Sequence, residues 1–547
     1  MRYRKCMMLN YTSAIYHNIT SYDRRAMEPH ALDWRHQPSV YKVYSGAKTV
    51  DLEDIENLYA KSLGAVCRLG DQDAFKNNLN PTDLSKILLL AGGLTGRQRQ
   101  AGQDFYYRSA PSAGALYPNE IYIAWWAGGG LESGIYHVGI HNRRLSLLRP
   151  GDFRSPAGAA VGDGSPDLAA VFLITGIFFR SAWKYRKRAY RYVLLDAGHL
   201  AENLRLALNA AEIASSMTYD MDDAALDHLL DLDAGREGVL CGVRVYGCAA
   251  EAVEEKTATI DALPESIRAA GRVSAAEIVY PDIAGMHAAS RMIRGGGSGQ
   301  VVAFESTAPT RTENHEGILD KLGVVPERWQ SLDDFSKNDS AKSDTGISTG
   351  QSRDVANMLD FAEAVIRRRS RRNFTDQPMV RSDFTHMLDL LCRASIESET
   401  GRDRVYVSSV VAGFLAGNIE GVVSGFYLLD PNRRRFGKVA ENQMAGPMSR
   451  VCLDQEWLAR AAVHFLFMSC LPDLDAPWGA RGYRYAMMTA GRLGQVAYLG
   501  ATALGLGCCG IGALYDHEAR DLLGLNPESA LLYLVAAGPV KGFGRHS

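Results

Sequence analysis

The sequence predicts an α+β protein of two related units in tandem, each a mostly antiparallel sheet flanked by helices. Three observations predict it. A stretch of 44 residues recurs at a constant offset of 293. Each copy is preceded by a similar hairpin-like segment and a similar apolar strand. The chain has 547 residues, 46% apolar and 22% charged, which is ordinary globular usage and enough for two to four domains.

The recurrence aligns Ala189–Leu232 with Gly482–Leu525 without a gap. Tyr190-Arg191-Tyr192 meets Tyr483-Arg484-Tyr485, Ala197-Gly198 meets Ala490-Gly491, and Asp223 meets Asp516. Landmarks kept in register over such a length indicate a duplication of large period, hence two domains and not a solenoid. Each copy reads as a helix, a short loop, a small helix and a strand.

Taken along the chain, the N-terminus MRYRKCMMLNYTSAIYHN has basic residues but no long apolar run, so no signal peptide is read. Ser133–Tyr136 with Asn142–Leu145, and Ser424–Tyr427 with Asn432–Arg435, read as hairpins turning at polar residues. Leu168–Thr175 and Ala461–Ser469 then fill one slot as buried strands. Between the copies, 254–354 reads as a partly flexible linker, with a polar core at Ser336–Arg353. Domain one is expected over 1–253 and domain two over 355–547. Arg294–Gly299 lacks the spacing of a phosphate loop and reads as a plain loop. Val355–Arg369 reads as a helix. The uncharged Leu493–Tyr515 reads as a buried helix, not a membrane span, because its copy carries Asp196, Glu202, Arg205 and Glu212.

Charge and cysteine content narrow the function. Sixty basic and 62 acidic residues give a net charge of −2, which offers no support for a nucleic-acid or membrane partner. Nine cysteines without a CxxC pair give no metal site and no disulfide scaffold, and point to a reducing cytoplasm. Cys508 and Cys509 read as buried thiols. His199, opposite Arg492 in the alignment, reads as a packed helical histidine.

Three clusters carry chemistry. Arg367-Arg368-Arg369-Ser370-Arg371-Arg372 ends the helix that opens domain two, and guanidinium groups beside a hydroxyl suit a phosphomonoester. Pro111-Ser112-Ala113-Gly114 lies in a tight loop whose backbone amides can approach the edge of a flat polar ring. Lys184-Tyr185 precedes Tyr190-Arg191-Tyr192 and can serve proton transfer.

RRSxR followed by Phe374, PSAGALYP at 111–118 and the Gly-rich Gly507–Gly512 together resemble the FMN-dependent nitroreductase superfamily. The resemblance is closer to its SagB-type dehydrogenases, the azoline-oxidising branch. Asp33–Pro38 and Tyr41–Ala47 also look like the opening of tandem SagB-type proteins. The resemblance implies two nitroreductase-like domains forming an intrachain pseudo-dimer with FMN in the interface. It places the phosphate on Arg368, Ser370 and Arg372, with Arg369 nearby, and on Lys541 and Arg545. It places the ring beside Gly510, Ile511 and Gly512, under a partner loop of Pro111, Ser112, Ala113 and Gly114. It makes Lys184 and Tyr185 the catalytic pair. Domain one lacks the arginine cluster in its slot Lys61–Ala65, and domain two lacks PSAG in its slot Ser395–Gly401. One composite FMN site per chain is therefore expected. The implied reaction is dehydrogenation of azoline rings on a modified peptide, with O2 as an acceptor. The alternatives are NAD(P)H-dependent reduction of a small nitro or quinone substrate, and a non-catalytic flavin-binding or peptide-recognition protein.

Overall fold

The computed structural model describes residues 10–27, 30–67, 78–100, 102–247, 260–293, 320–337, 358–396, 406 and 408–542. Strands β1 (Lys48–Asp51), β2 (Leu94–Gln100), β3 (Gln103–Arg108), β4 (Asn119–Trp125), β5 (Gly134–Gly139), β6 (Arg144–Pro150), β7 (Leu168–Ile177), β8 (Ser215–Thr218) and β9 (Glu237–Tyr246) belong to the first half. The second half has β10 (Arg328–Ser331), β11 (Val411–Ala416), β12 (Gly425–Asp430), β13 (Arg435–Glu441), β14 (Val463–Cys470), β15 (Gly507–Ile511) and β16 (Ser529–Gly538). Two seven-stranded sheets result, ordered β1-β6-β5-β4-β7-β9-β8 and β10-β13-β12-β11-β14-β16-β15. Strand for strand the two orders are the same, and every pairing is antiparallel. The expected hairpins are β5–β6 and β12–β13, and the expected apolar strands are β7 and β14, buried along their whole length. The pair β2–β3 forms a separate ribbon.

The repeated helices are Ala189–Ala210 and Arg481–Ala503, buried at every residue. They cross at glycine. A Cβ added to Gly198 would clash with the Met488 carbonyl and meet the Gly491 Cα at 3.0 Å. Only an absent side chain lets the backbones approach this closely. The helices are anchored by mirrored ion pairs. Arg188 and Arg191 of the first half reach Asp516 of the second, each at 2.6 Å. Arg481 and Arg484 of the second half reach Asp223 of the first, at 2.5 and 2.8 Å.

Two corrections concern elements. The helix expected over 493–515 ends at Ala503, where Gly505 takes a left-handed φ of +69°, and Gly507–Ile511 is the edge strand β15. The Gly-rich stretch is therefore strand, not helix end. The helix expected over Val355–Arg369 spans Phe361–Arg367, capped by Asp360, whose side chain accepts from the Glu363 amide. Val355, Ala356 and Asn357 lie outside the described residues.

The expected linker 254–354 carries structure of its own. β10 pairs with β13 in the second sheet. The helix Pro281–Ala289 packs on the first half, where His287 Nδ1 lies 3.1 Å from the Tyr190 hydroxyl. Helix Ser13–Ile19 repeats this on the second half, where His17 Nδ1 lies 3.0 Å from the Tyr483 hydroxyl. Tyr190 and Tyr483 are alignment partners, so the duplication extends into these arms. The loop Arg294–Gly299 and most of Ser336–Arg353 lie outside the described residues.

Candidate active site between the two halves

The site is assembled from the loop before β4, the helix after β7, the two crossing helices, β15, β16 and the segment after Arg367. The Pro-Ser loop is held from below by Asp196 on the first crossing helix. Ser112 Oγ donates to its carboxylate at 2.6 Å, and the Ala113 amide donates at 3.2 Å. Ser112 Oγ also accepts from the Tyr117 amide at 2.9 Å. Gly114 has φ +64°, a conformation that disfavours any side chain.

Lys184 and Tyr185 end the helix Phe178–Tyr185, which Arg186 closes with φ +49°. Their polar ends converge on the loop. A Cβ on Gly114 would lie 2.8 Å from Tyr185 Oη and 3.2 Å from Lys184 Nζ. Burial pushes the Tyr185 phenol well above its ordinary pKa, and the nearby Asp196 carboxylate adds to the effect. The phenol stays protonated at neutral pH. Its ring packs on Tyr192 with centroids 4.3 Å apart.

The arginine cluster divides its work. Arg368 is buried and crosses to the first half, donating to the Ser109 carbonyl at 2.8 Å and the Arg108 carbonyl at 3.0 Å. Arg369 also crosses, donating to the Thr95 carbonyl at 2.7 Å. Arg369 also donates to the Ile366 and Arg368 carbonyls of its own half at 3.0 and 2.6 Å, so both guanidinium groups are held by backbone carbonyls around the interface. Ser370, Arg372 and Lys541 are exposed. Ser370 Oγ lies 3.0 Å from the Tyr498 hydroxyl, and Arg372 lies over the Trp457 ring at 5.8 Å. No carboxylate is paired with Arg372 or Lys541 among the described residues. Arg545 lies outside the described residues.

On β15, Gly510 donates its amide to the Tyr498 hydroxyl at 2.6 Å. A side chain on Gly510 would collide with Tyr533 Oη, and one on Gly512 would meet Tyr192 at 2.8 Å. Ile511 is buried between them. His199 is sandwiched in the same layer, 2.8 Å from Gln495 Oε1 and 3.0 Å from Tyr533 Oη. Burial lowers its pKa to about 3, so it is a neutral packed residue. Cys508 and Cys509 are buried, and burial raises both thiols.

The structure thus brings together the Pro-Ser loop, Lys184 and Tyr185 from one half with Arg368 and Gly510–Gly512 from the other. Sequence reasoning missed Asp196, Tyr498 and Tyr533. For Asp196 a signal existed: an acid in the apolar run VLLDAGHL opposite Thr489.

The related position in the other half is built differently. Tyr219 stands at the alignment position of Gly512 and Met217 at that of Gly510. Tyr219 packs on Tyr406 with centroids 4.4 Å apart. Arg492, opposite His199, is paired with Glu202 at 2.9 Å. Pro477 and Trp478 replace Lys184 and Tyr185.

Among the described residues no helix is long and apolar enough to cross a membrane. A comparison with family models matches the nitroreductase family over residues 154–247 and 365–539. The protein MJ1384 of Methanocaldococcus jannaschii, named as a nitroreductase, is 27% identical over 180 residues, 32% of this chain and 89% of that one. The trifolitoxin-processing protein TfxB of Rhizobium leguminosarum is 24% identical over 243 residues, 42% of this chain and 64% of that one. The chain thus spans less than two thirds of that relative. A crystal structure from Anabaena variabilis, described as a nitroreductase, superposes with a TM-score of 0.71 at 22% identity, covering 97% of this chain and all of that one. Two matched regions, one in each half, and the duplicated sheets show that the chain belongs to the nitroreductase family of oxidoreductases, with two of its domains in tandem.

Proposed function

We propose that this chain is an FMN-dependent dehydrogenase with one composite site per chain, acting on azoline rings of a modified peptide. One observation carries the reading: Lys184 Nζ and Tyr185 Oη converge on Gly114 of the Pro-Ser loop, at an interface that also exposes Arg372 and Lys541. The residues fit a flavin. Arg372 and Lys541, without carboxylate partners among the described residues, and the Ser370 hydroxyl suit a phosphate. The missing side chains of Gly114, Gly510 and Gly512 let Tyr185, Tyr533 and Tyr192 pack directly on the backbone, which brings these phenols and the two halves together at one corner of the interface. When bound, FMN supplies two-electron redox chemistry.

The rest belongs to the chain. Ring oxidation removes a proton from carbon, which requires a base. We assign that proton to Lys184 Nζ. Tyr185, held protonated, donates a hydrogen bond to the substrate. The trifolitoxin-processing relative supports a peptide substrate.

The test is Lys184→Ala. Purified wild type should be yellow and convert an azoline peptide to the azole. The variant should keep its colour and lose at least about a hundredfold in turnover. A colourless wild type, or full turnover by the variant, overturns the reading. Anaerobic bleaching by NAD(P)H, with no azole formed, would instead favour nitro or quinone reduction.

A further inference from the structure

We propose that Asp196 is the positioning residue of this site, a buried carboxylate clasp that orders the Pro-Ser loop and holds it differently when ionised and when protonated. The inference deepens the proposed function by adding a regulation of the same site. The clasp itself is a property of the protein without cofactor or substrate.

The geometry is specific. Asp196 is buried at mid-helix, and among the described residues no Lys, Arg or His forms an ion pair with it. Its acceptors face two donors only, the Ser112 hydroxyl and the Ala113 amide. The other titratable groups facing it are phenols: Tyr117 in the loop, Tyr185 at the end of the preceding helix and Tyr533 on β16. Burial raises all three phenols, so they stay neutral and add no compensating charge. A buried carboxylate that lacks a cation and has two hydrogen bonds lies near the balance between its two forms. Burial raises its pKa to about 7, against the lowering by Ser112 and Ala113.

The two forms hold the loop differently. Ionised, Asp196 accepts from both donors through charge-assisted bonds. Protonated, it has one oxygen with a proton to give and a weaker acceptor for Ala113. Because Gly114 abuts both Lys184 Nζ and Tyr185 Oη, a shift of Ala113 is passed to the catalytic pair.

The test is amide hydrogen exchange of the 109–118 segment in the full chain, at pH 5 to 9, after correction for intrinsic exchange. Wild type should show a protection step centred near neutral pH. Asp196→Asn, which keeps an acceptor without titrating, should keep the loop protected and abolish the step. Ser112→Ala removes a bond that favours the ionised form and should move the step to higher pH. An unchanged step in either variant overturns the clasp. These readouts need no flavin or turnover. Failure of the clasp therefore leaves the dehydrogenase reading standing, and a colourless, inactive protein with an intact step sinks only that reading.

Discussion

At the scale of single residues, Gly114 is the point where sequence and chemistry meet. Its φ of +64° and its proximity to Tyr185 Oη both depend on the missing Cβ. Gly114→Ala should add about 1 kcal/mol of backbone strain and displace the Tyr185 hydroxyl. We expect turnover to fall at least tenfold while flavin content stays within twofold of wild type, as read by absorbance and steady-state kinetics. A variant with normal kcat and KM would show that the Gly114 contact has no part in the reaction. Lys184, Tyr185 and the Pro-Ser loop were legible because short motifs name them. Asp196 was legible only as an acid in an apolar run, since its role depends on a loop 84 residues away that no local pattern reports. What an arginine run does not report is which backbone it meets: Arg368 donates to carbonyls of the first half, and Arg369 to Thr95 of the first half and to Ile366 and Arg368 of its own.

At the scale of elements, helix and strand differ in how much of themselves they show in sequence. The duplicated hairpins and central strands were legible from alternating or apolar runs. The edge strand β15 was hidden, because GCCGI carries neither a strand period nor a helix period. Its identity comes from pairing with β16. The mirrored ion pairs give the elements a further test. Burial alone would raise the pKa of Asp516, but Arg188 and Arg191 overcome this and hold it well below the usual carboxylate range. A depressed carboxyl contributes stability that is present above its unfolded pKa of about 4 and is lost as pH falls through the folded value. Asp516→Ala leaves two buried guanidinium groups without their anion and should cost about 3–5 kcal/mol at pH 7. The difference from wild type should shrink as the pH is lowered below about 4. Chemical denaturation at several pH values measures both. Equal stability at pH 7 would mean that the arginines find other partners.

At the scale of the whole molecule, fusion changes what a duplicated fold can do. Two separate identical subunits must build two identical interfacial sites. Joined in one chain, the halves are free to diverge, and the structure shows the direction taken. One position keeps Gly510, Gly512, Tyr498, Lys184 and Tyr185. The related position holds Met217, Tyr219, Arg205, Pro477 and Trp478. There Tyr219 packs against Tyr406, and a buried Arg492–Glu202–Arg205 set occupies the layer where His199 and Gln495 lie in the other copy. A flat ring needs the space that these side chains take, and removing them would leave buried charges unpaired. We propose that the second position serves stability and binds no flavin. Flavin-free protein titrated with FMN should therefore saturate at one equivalent per chain, read by fluorescence quenching against a protein concentration fixed by amino-acid analysis. Substituting Arg372 and Lys541 together by Ala should weaken that single site by at least about tenfold without uncovering a second. Two equivalents of equal affinity would show that both interfaces bind the ring, and the division of labour between the halves would have to be abandoned.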